Sequence, residues 1–563
     1  MAIKKLLKTA LPVLVLSGLL TCAASAAAGK GPPPVSPDWV FDHWVWEDDV
    51  NTEVALWELI DGYTSRGIPV GAVIIDSPWT TEYNNFIFNR DLYPDPEGMI
   101  KKLHARGIKA ILWMTSMINN EYPGGKIEPK GTETYEEALE KGYLVNGGET
   151  YKWWKGRGAF LDYTNPEALK WWHGLMDRAL DLGYDGWKLD GTDAHFPAKA
   201  EAHAGTITHV DYRNMYYSDS YNYTISKNPE ATTISRSVDI ISAVPDGFSP
   251  VTHTPSSWVG DEKHDWGAWG ILEALDDILN AAKLGYAVVG SDIAGYHGDE
   301  PITKELLLRW AQWGAFCPFM ENGGHGAHQP WLHDEEDEET VEIYRKFVKI
   351  HLELKPYLYS MMWKSHLDGT PIMQPRAGKY QYMLGGALLV AAIYEPKNAR
   401  SVKLPEGNWI DYWDNSKVYP GKTTLDYEAP LDRYPVFIRE GAIIPLEIAD
   451  AETGHGGAHG DETLADAVTL DIYPAEISRK FTFYDYHDRG AAPVEIKMAG
   501  SPENLEITIA PATKKFILRI LSPEEPKEVT INGEAKTARW DKNDSRLWVN
   551  PGVGEIAEVR ITY

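Results

Sequence analysis

Asp185-Gly-Trp-Lys-Leu-Asp190-Gly-Thr-Asp193 closes an apolar-flanked strand on an acid, with a cation two residues before it and a glycine after. In a parallel β/α barrel the side chains at the C-terminal strand ends point into the site, so a carboxylate in that place meets substrate. Asp190 is that carboxylate. Lys188 shares its face of the strand, and the positive charge there favours the ionised, nucleophilic form of Asp190. The same residues also fit a plainer reading, in which Asp190 caps the following helix and Lys188 pairs with it.

Working outward, short apolar strands alternate with amphipathic helical segments until about residue 365, the grammar of a parallel β/α domain. Strands are expected at 39–44, 70–76, 108–114, at the stretch ending in Asp190, and at 232–236, 257–261, 287–292 and 314–319. Eight strands close a (β/α)8 TIM barrel over 38–366. A Gly-, Pro- and aromatic-rich excursion at 119–155 follows the third strand, where barrels build specificity. Beyond residue 369 short alternating strands separated by Gly, Pro and Asn predict two C-terminal β-sandwich domains, at 367–447 and 448–563. The polar tract at 452–462 reads as a linker or exposed loop; His455 and His459 within it have metal-like spacing in a flexible polar context.

Lys4, Lys5 and Lys8, an apolar run at 9–20 and an Ala-rich stretch predict a signal peptide over 1–28, cleaved after Ala26 or Ala28, then a Gly/Pro linker at 29–37. A secreted or periplasmic location is therefore expected. Cys22 raises the alternative of a lipid-modified cysteine, against which the bulk of Thr21 speaks. Cleavage leaves only Cys317, so no intramolecular disulfide is available. The net charge of -28 argues against nucleic acid or an anionic membrane as partner. No other apolar run is long enough for a membrane span, and the oligomeric state is left open. The 22 Trp and 30 Tyr suit a sugar-binding cleft, although large cores also use many aromatics.

The order of residues at the strand ends carries more: Asp76, Trp113, Lys188 with Asp190, Ser235-Arg236-Ser237, Trp258-Val-Gly-Asp261, and Gly290-Ser-Asp292-Ile-Ala-Gly-Tyr296. This series resembles glycoside hydrolase family 31, in which a Lys-x-Asp element supplies a nucleophile and a Trp-x-Gly-Asp element an acid/base. The resemblance continues through Ile68-Pro-Val70, Leu103-His-Ala-Arg-Gly107, Trp409-Ile-Asp-Tyr-Trp413 and Gly441-Ala-Ile-Ile-Pro-Leu446. It implies a retaining exo-acting α-glycosidase that removes terminal α-xylose, α-glucose or α-galactose from an oligosaccharide, without metal or cofactor. Retention needs two carboxyl groups about 5 to 5.5 Å apart, and the resemblance makes Asp190 the nucleophile and Asp261 the acid/base. Lys188 and Arg236 are expected beside Asp190; neighbouring carboxylates are expected to raise the pKa of Asp261 toward that of a working acid.

Asp76 and Asp292 are read as acceptors for sugar hydroxyls, and Trp113 and Trp258 as apolar walls. Helix or loop caps are the plainer reading for the acids, Asp261 included, and barrel core for the tryptophans. Asp193 is placed behind the nucleophile. Two departures stand out. Where the family carries Arg-x-His after strand eight, this chain reads Met320-Glu-Asn-Gly-Gly-His325-Gly-Ala-His328; Asn322 best matches that His, His325 and His328 are possible substitutes, and Glu321 alters the local charge. Family members also place a β-sandwich before the barrel, whereas here a signal and linker precede Trp39. Rival readings are an α-transglycosylase, a carbohydrate-binding protein without catalysis, and a metal-dependent barrel hydrolase, the last lacking His-x-His or His-Glu-x-x-His spacing.

Overall fold

The computed structural model describes residues 31–124, 128–191, 195–239, 247–334, 338–449, 452–453, 467–501 and 503–563. The signal segment, Asp193, His455 and His459 lie outside them. Eight parallel strands form one sheet: β1 (His43–Val45), β2 (Ala72–Ile75), β3 (Lys109–Met114), β4 (Gly186–Leu189), β5 (Thr232–Arg236), β6 (Ser256–Trp258), β7 (Val289–Gly290) and β8 (Met320–Asn322). Their order is β7-β6-β5-β4-β3-β2-β1-β8, and a parallel bridge between Asp292 and Glu321, with Ile293 N donating to Glu321 O, joins the two ends. The result is a TIM barrel.

Strand interiors such as Ala72–Ile75 and Gly186–Leu189 are buried at every position, as expected for strands covered on both faces. Two close approaches demand glycine. A Cβ at Gly186, whose φ is +141°, would lie 1.7 Å from Thr232 O on β5, and one at Gly290 would lie 2.2 Å from Phe319 O beside β8.

Helices on the outside begin where the sequence supplies caps. Thr52 caps α1 (Glu53–Thr64), Asp95 caps α2 (Pro96–Ala105), and Asn165 caps α3 (Pro166–Leu180), the last two with proline in the first turn. Thr208 and Asp211 form a capping box on α4 (His209–Lys227). Gly285, left-handed, ends α5 (Ile271–Leu284); α6 (Lys304–Gly314), α7 (Glu339–Glu353) and α8 (Lys355–Asp368) follow. No helix among the described residues is long and apolar enough to cross a membrane.

Several expected boundaries move. Residues 38–41 form a 3-10 turn led by Pro37, so the first strand starts at His43 instead of 39. The eighth strand is Met320–Asn322 instead of 314–319: Gly314 ends α6, which is buried from Leu306 onward, and an apolar run buried all round has no period that separates helix end from strand. β6 stops at Trp258, leaving Asp261 on the loop that follows.

The rest of the chain is antiparallel. A six-stranded sheet runs from Met373–Pro375 to Val418–Pro420 with a separate antiparallel pair of Ala399–Lys403 and Thr424–Glu428, and five- and six-stranded sheets follow. Ile443–Leu446 pairs with Val468–Ile472, within the later pair of sheets. Arg309 of α6 is fully buried and donates to Ala429 O at 2.6 Å, Arg433 O at 2.9 Å and Asn398 Oδ1 at 2.6 Å, joining barrel to first sandwich. A buried guanidinium whose two terminal nitrogens are held in this way gives that junction directional specificity.

Candidate active site

A cavity of about 570 Å³ opens at the C-terminal ends of the strands, lined by residues that include Asp76, Trp113, Lys188, Asp190, Arg236, Trp258 and Asp261. They come from the ends of β2 to β6 and the loop after β6, with Lys188 and Asp190 both supplied at the end of β4. Seven of the nine residues singled out from sequence therefore meet.

Asp190 follows β4 and its backbone N–H donates to Met114 O at 3.0 Å, extending the pairing with β3. Its Oδ2 accepts from Trp113 Nε1 at 3.0 Å, and its Oδ1 from the Gly191 amide at 2.7 Å. Trp113 is thus more than an apolar wall, since its indole N–H orients the carboxylate. Arg236, at the end of β5, donates through Nη2 to Asp261 Oδ1 at 2.7 Å; the same nitrogen is 3.6 Å from Asp190 Oδ1. Nη1 reaches Asp239 Oδ2 at 3.3 Å.

This corrects one expectation. Burial pushes the Asp261 carboxyl upward, but the Arg236 guanidinium, helped by Lys188 and His297, reverses that and holds it below the ordinary carboxylate range. The neighbouring acids expected to raise it are outweighed by direct contact with a cation. Asp261 is also the more open of the pair, its side chain 44 % exposed against 16 % for Asp190.

Lys188 turns to Asp76 rather than to Asp190. Its Nζ donates to Asp76 Oδ2 at 2.8 Å and lies 3.6 Å from the Trp46 ring centroid and 5.2 Å from that of Trp258. Burial opposes its charge, yet Asp76, Asp292 and Asp190 together raise its pKa above the ordinary lysine value. Asp76, also accepting from the Ser77 amide at 2.7 Å, is pushed up to about 6 by burial despite Lys188.

Asp292 and Asn322 do not line the cavity. Asp292 is buried beside Glu321; burial, then the Glu321 charge, raises its pKa well above the usual range, and burial takes Glu321 up to about 7. The Asn322 side chain turns inward, donating to Tyr63 Oη at 2.8 Å and His328 O at 3.0 Å. His328 is buried, held near a pKa of about 3 by desolvation, and its Nδ1 sits 3.0 Å from Ile293 O. Of the residues after β8, His325 reaches the cavity, where it pairs with Asp48 at 3.0 Å and Asp49 at 2.9 Å.

Sequence reasoning missed the wall that His325 completes. Trp46 and Asp48 follow β1, Tyr296 follows β7, the Tyr296 ring stacks on Trp46 at 5.9 Å, and its hydroxyl donates to Asp48 at 2.6 Å. A first strand placed three or four residues later would have put Trp46 at its C-terminal end. Trp154, from the excursion, stands at the rim with 47 % exposure.

An acid-lined cavity at the C-terminal mouth of a parallel eight-stranded barrel, backed by antiparallel β-domains, is the layout of a TIM-barrel glycoside hydrolase. The chain belongs to glycoside hydrolase family 31: residues 33–361 match the family's TIM-barrel domain and 355–444 its C-terminal domain. It is 27 % identical to an isomaltosyltransferase of Sporosarcina globispora, over 90 % of this chain and 50 % of that protein, and so spans about half the length of that relative. It is 26 % identical to alpha-glucosidase 2 of Bacillus thermoamyloliquefaciens, over 92 % of this chain and 68 % of the other. Among solved structures, the cycloalternan-forming enzyme from Listeria monocytogenes in complex with pentasaccharide substrate shares the fold at a TM-score of 0.83 and 23 % identity, over 94 % of this chain and 55 % of that one.

Proposed function

We propose that the protein is a retaining exo-acting α-glycosidase in which Asp190 attacks the anomeric carbon and Asp261 serves as acid and then base. The observation that carries this reading is the shared guanidinium. One Arg236 nitrogen 3.6 Å from Asp190 Oδ1 and 2.7 Å from Asp261 Oδ1 limits those two oxygens to roughly 6 Å apart, short of the 6.5–9.5 Å that inversion needs for an intervening water. Trp113 and Gly191 donate to the Asp190 carboxylate and, with the nearby Arg236 nitrogen, fix its orientation for attack.

Asp261 must carry a proton to act first as acid. The Arg236 contact opposes this, so on sugar binding Arg236 shifts its contact toward Asp190 and releases Asp261. Once the covalent glycosyl-enzyme forms, Asp190 is neutral, and the return of Arg236 to Asp261 suits the base that activates water. Asp76, held by Lys188, supplies an acceptor for a hydroxyl of the terminal sugar, which is α-xylose, α-glucose or α-galactose. The closed wall of Trp46, Asp48, Tyr296 and His325 supports action at a chain end. A secreted or periplasmic location, resting on the segment at 1–28, belongs to the same proposal.

The test is hydrolysis of nitrophenyl α-glycosides of these sugars by the parent and by Asp190→Ala, with the anomer of the first-formed sugar read by NMR. The expected result is an α-product, activity lost on the order of 10⁴-fold in the variant, and rescue by azide as the β-glycosyl azide. A β-product from the parent, or a fully active variant, sinks the reading.

A second reading, α-transglycosylation, draws on the isomaltosyltransferase relative and on Trp154, whose exposed ring at the rim suits stacking of an acceptor sugar. Trp154→Ala is expected to lower the ratio of transfer to hydrolysis while leaving hydrolysis within a few-fold; an unchanged ratio removes the reading.

A further inference from the structure

A second cavity, of about 520 Å³, lies between α8 and the antiparallel domains and shares no lining residue with the sugar cavity. Its floor is aromatic: Tyr357 of α8 stacks on Phe481 with ring centroids 5.8 Å apart, and both side chains are buried. Tyr484, half-buried and stacked on Trp363 at 5.2 Å, and the exposed Leu367 complete the apolar wall.

Two arginines line the same cavity. Arg439 ends the strand Val436–Arg439, and Arg479 begins the strand Arg479–Phe483. Gly441, with a φ of +86°, makes room for the second: a Cβ there would lie 2.8 Å from Arg479 Nε and 3.1 Å from Arg479 Cγ, so the arginine stem crosses a backbone that glycine leaves open. Neither guanidinium has a hydrogen-bond acceptor or an ion-pair partner among the described residues. The acids nearby are committed elsewhere: Glu440 accepts from Asn408 Nδ2 at 3.0 Å, while Asp368, in the cavity lining, pairs with Lys364 and accepts from the Thr370 amide at 2.9 Å. Lys480, the remaining cation of the lining, pairs with Glu495. Burial, and then the Arg439 charge, push the Arg479 pKa below the ordinary arginine value.

Two neighbouring guanidiniums without an acid are out of keeping in a chain that carries 82 acidic against 54 basic residues, and their repulsion stays uncompensated until an anion joins them. A planar guanidinium offers paired hydrogen bonds to a carboxylate or phosphate. The cavity has more room than a bare inorganic anion fills and falls within the range of about 300–1,000 Å³ of small-molecule sites. Its aromatic wall beside the cations suits the C–H face of a sugar ring. We propose that this cavity is a second saccharide site, which takes an anionic sugar with its oxyanion on Arg439 and Arg479 and its ring against Tyr484 and the apolar wall. The site holds an acidic glycan apart from the barrel mouth and is independent of the roles proposed for Asp190 and Asp261. Only the choice of a sugar over another organic anion rests on the family.

The test is isothermal titration calorimetry of the full chain at fixed ionic strength with sodium glucuronate, glucose 6-phosphate, glucose and sodium phosphate as probes. One site per chain is expected for at least one of the two anionic sugars, and the tighter of them tells whether the oxyanion is a carboxylate or a phosphate. Arg439→Gln and Arg479→Gln are each expected to weaken that binding by about tenfold or more, the worth of a hydrogen bond to a charged group. Failure of both anionic sugars to bind at millimolar concentration overturns the proposal. Binding that is undiminished in both folded variants overturns it too, since it places the sugar elsewhere, such as in the barrel cavity. Glucose binding as tightly as the anionic sugars removes the role of the arginines, and sodium phosphate binding as tightly leaves a bare anion site; either result also overturns it. The readout is binding, so it stands whether or not Asp190→Ala abolishes hydrolysis.

Discussion

Arg236, at the C-terminal mouth of the barrel, donates to Asp261 at 2.7 Å. The pairing sets the charge around Asp261, because the guanidinium outweighs burial and holds its carboxyl below the ordinary carboxylate range.

Replacing Arg236 by Gln removes that cation, so the Asp261 pKa rises. For a group that acts as acid, the alkaline limb of kcat/KM marks its loss of a proton. The limb is therefore expected to move to higher pH in Arg236→Gln, with lower activity at the optimum. A pH–rate profile measures this, and a limb that stays in place assigns the acid to another residue.

Trp113→Phe keeps the wall and deletes the N–H that meets Asp190 Oδ2 at 3.0 Å. A hydrogen bond to a charged group contributes about 1.5–3 kcal/mol, so kcat/KM should fall about 10- to 100-fold with little change in Tm. Unaltered kinetics would mean that the indole only fills space.

Lys188 and Asp76 are a buried pair, with side chains 8 % and 9 % exposed. Lys188→Met strands the Asp76 carboxylate, and breaking such a pair costs about 3–5 kcal/mol. Chemical denaturation should show that loss, and adding Asp76→Asn should recover part of it. Equal stability of the single and double variants would contradict the coupling.

His325 gives a pH signature. Its hydrogen bond to Asp48, and then Asp49, raise its pKa to about 9 from an ordinary 6.5. A raised folded-state pKa means stability that is fully present below 6.5 and lost as pH climbs through about 9. The side chain is 44 % exposed, so solvent screening keeps the effect modest. The Tm of the parent should decline more steeply than that of His325→Gln across this interval; parallel curves would argue against the pairing in solution.

Much of the architecture is written locally. The β/α alternation, the capped helices from Thr52, Asp95, Asn165 and Thr208, and the acids and cations at successive strand ends are read within a few residues of each other. Hydrophobic periodicity and capping act over one or two turns, which is why they survive in a linear text. The ordered motifs from Asp76 to Tyr296 pointed to family 31 for the same reason.

Tertiary structure alone decided which cation meets which acid. Lys188 shares a strand with Asp190, yet its ammonium selects Asp76, 112 positions away, because the barrel brings the end of β2 within its reach. Arg236 takes Asp261 by the same logic. After β8, the backbone turns at Gly324 and Gly326, with φ of +137° and +94°, send His325 to the cavity, while Asn322 and His328 face inward. Glycine permits too many directions for sequence to choose among them, and the choice belongs to long-range contacts: Asp48 and Asp49 for His325, Tyr63 for Asn322 and Ile293 for His328.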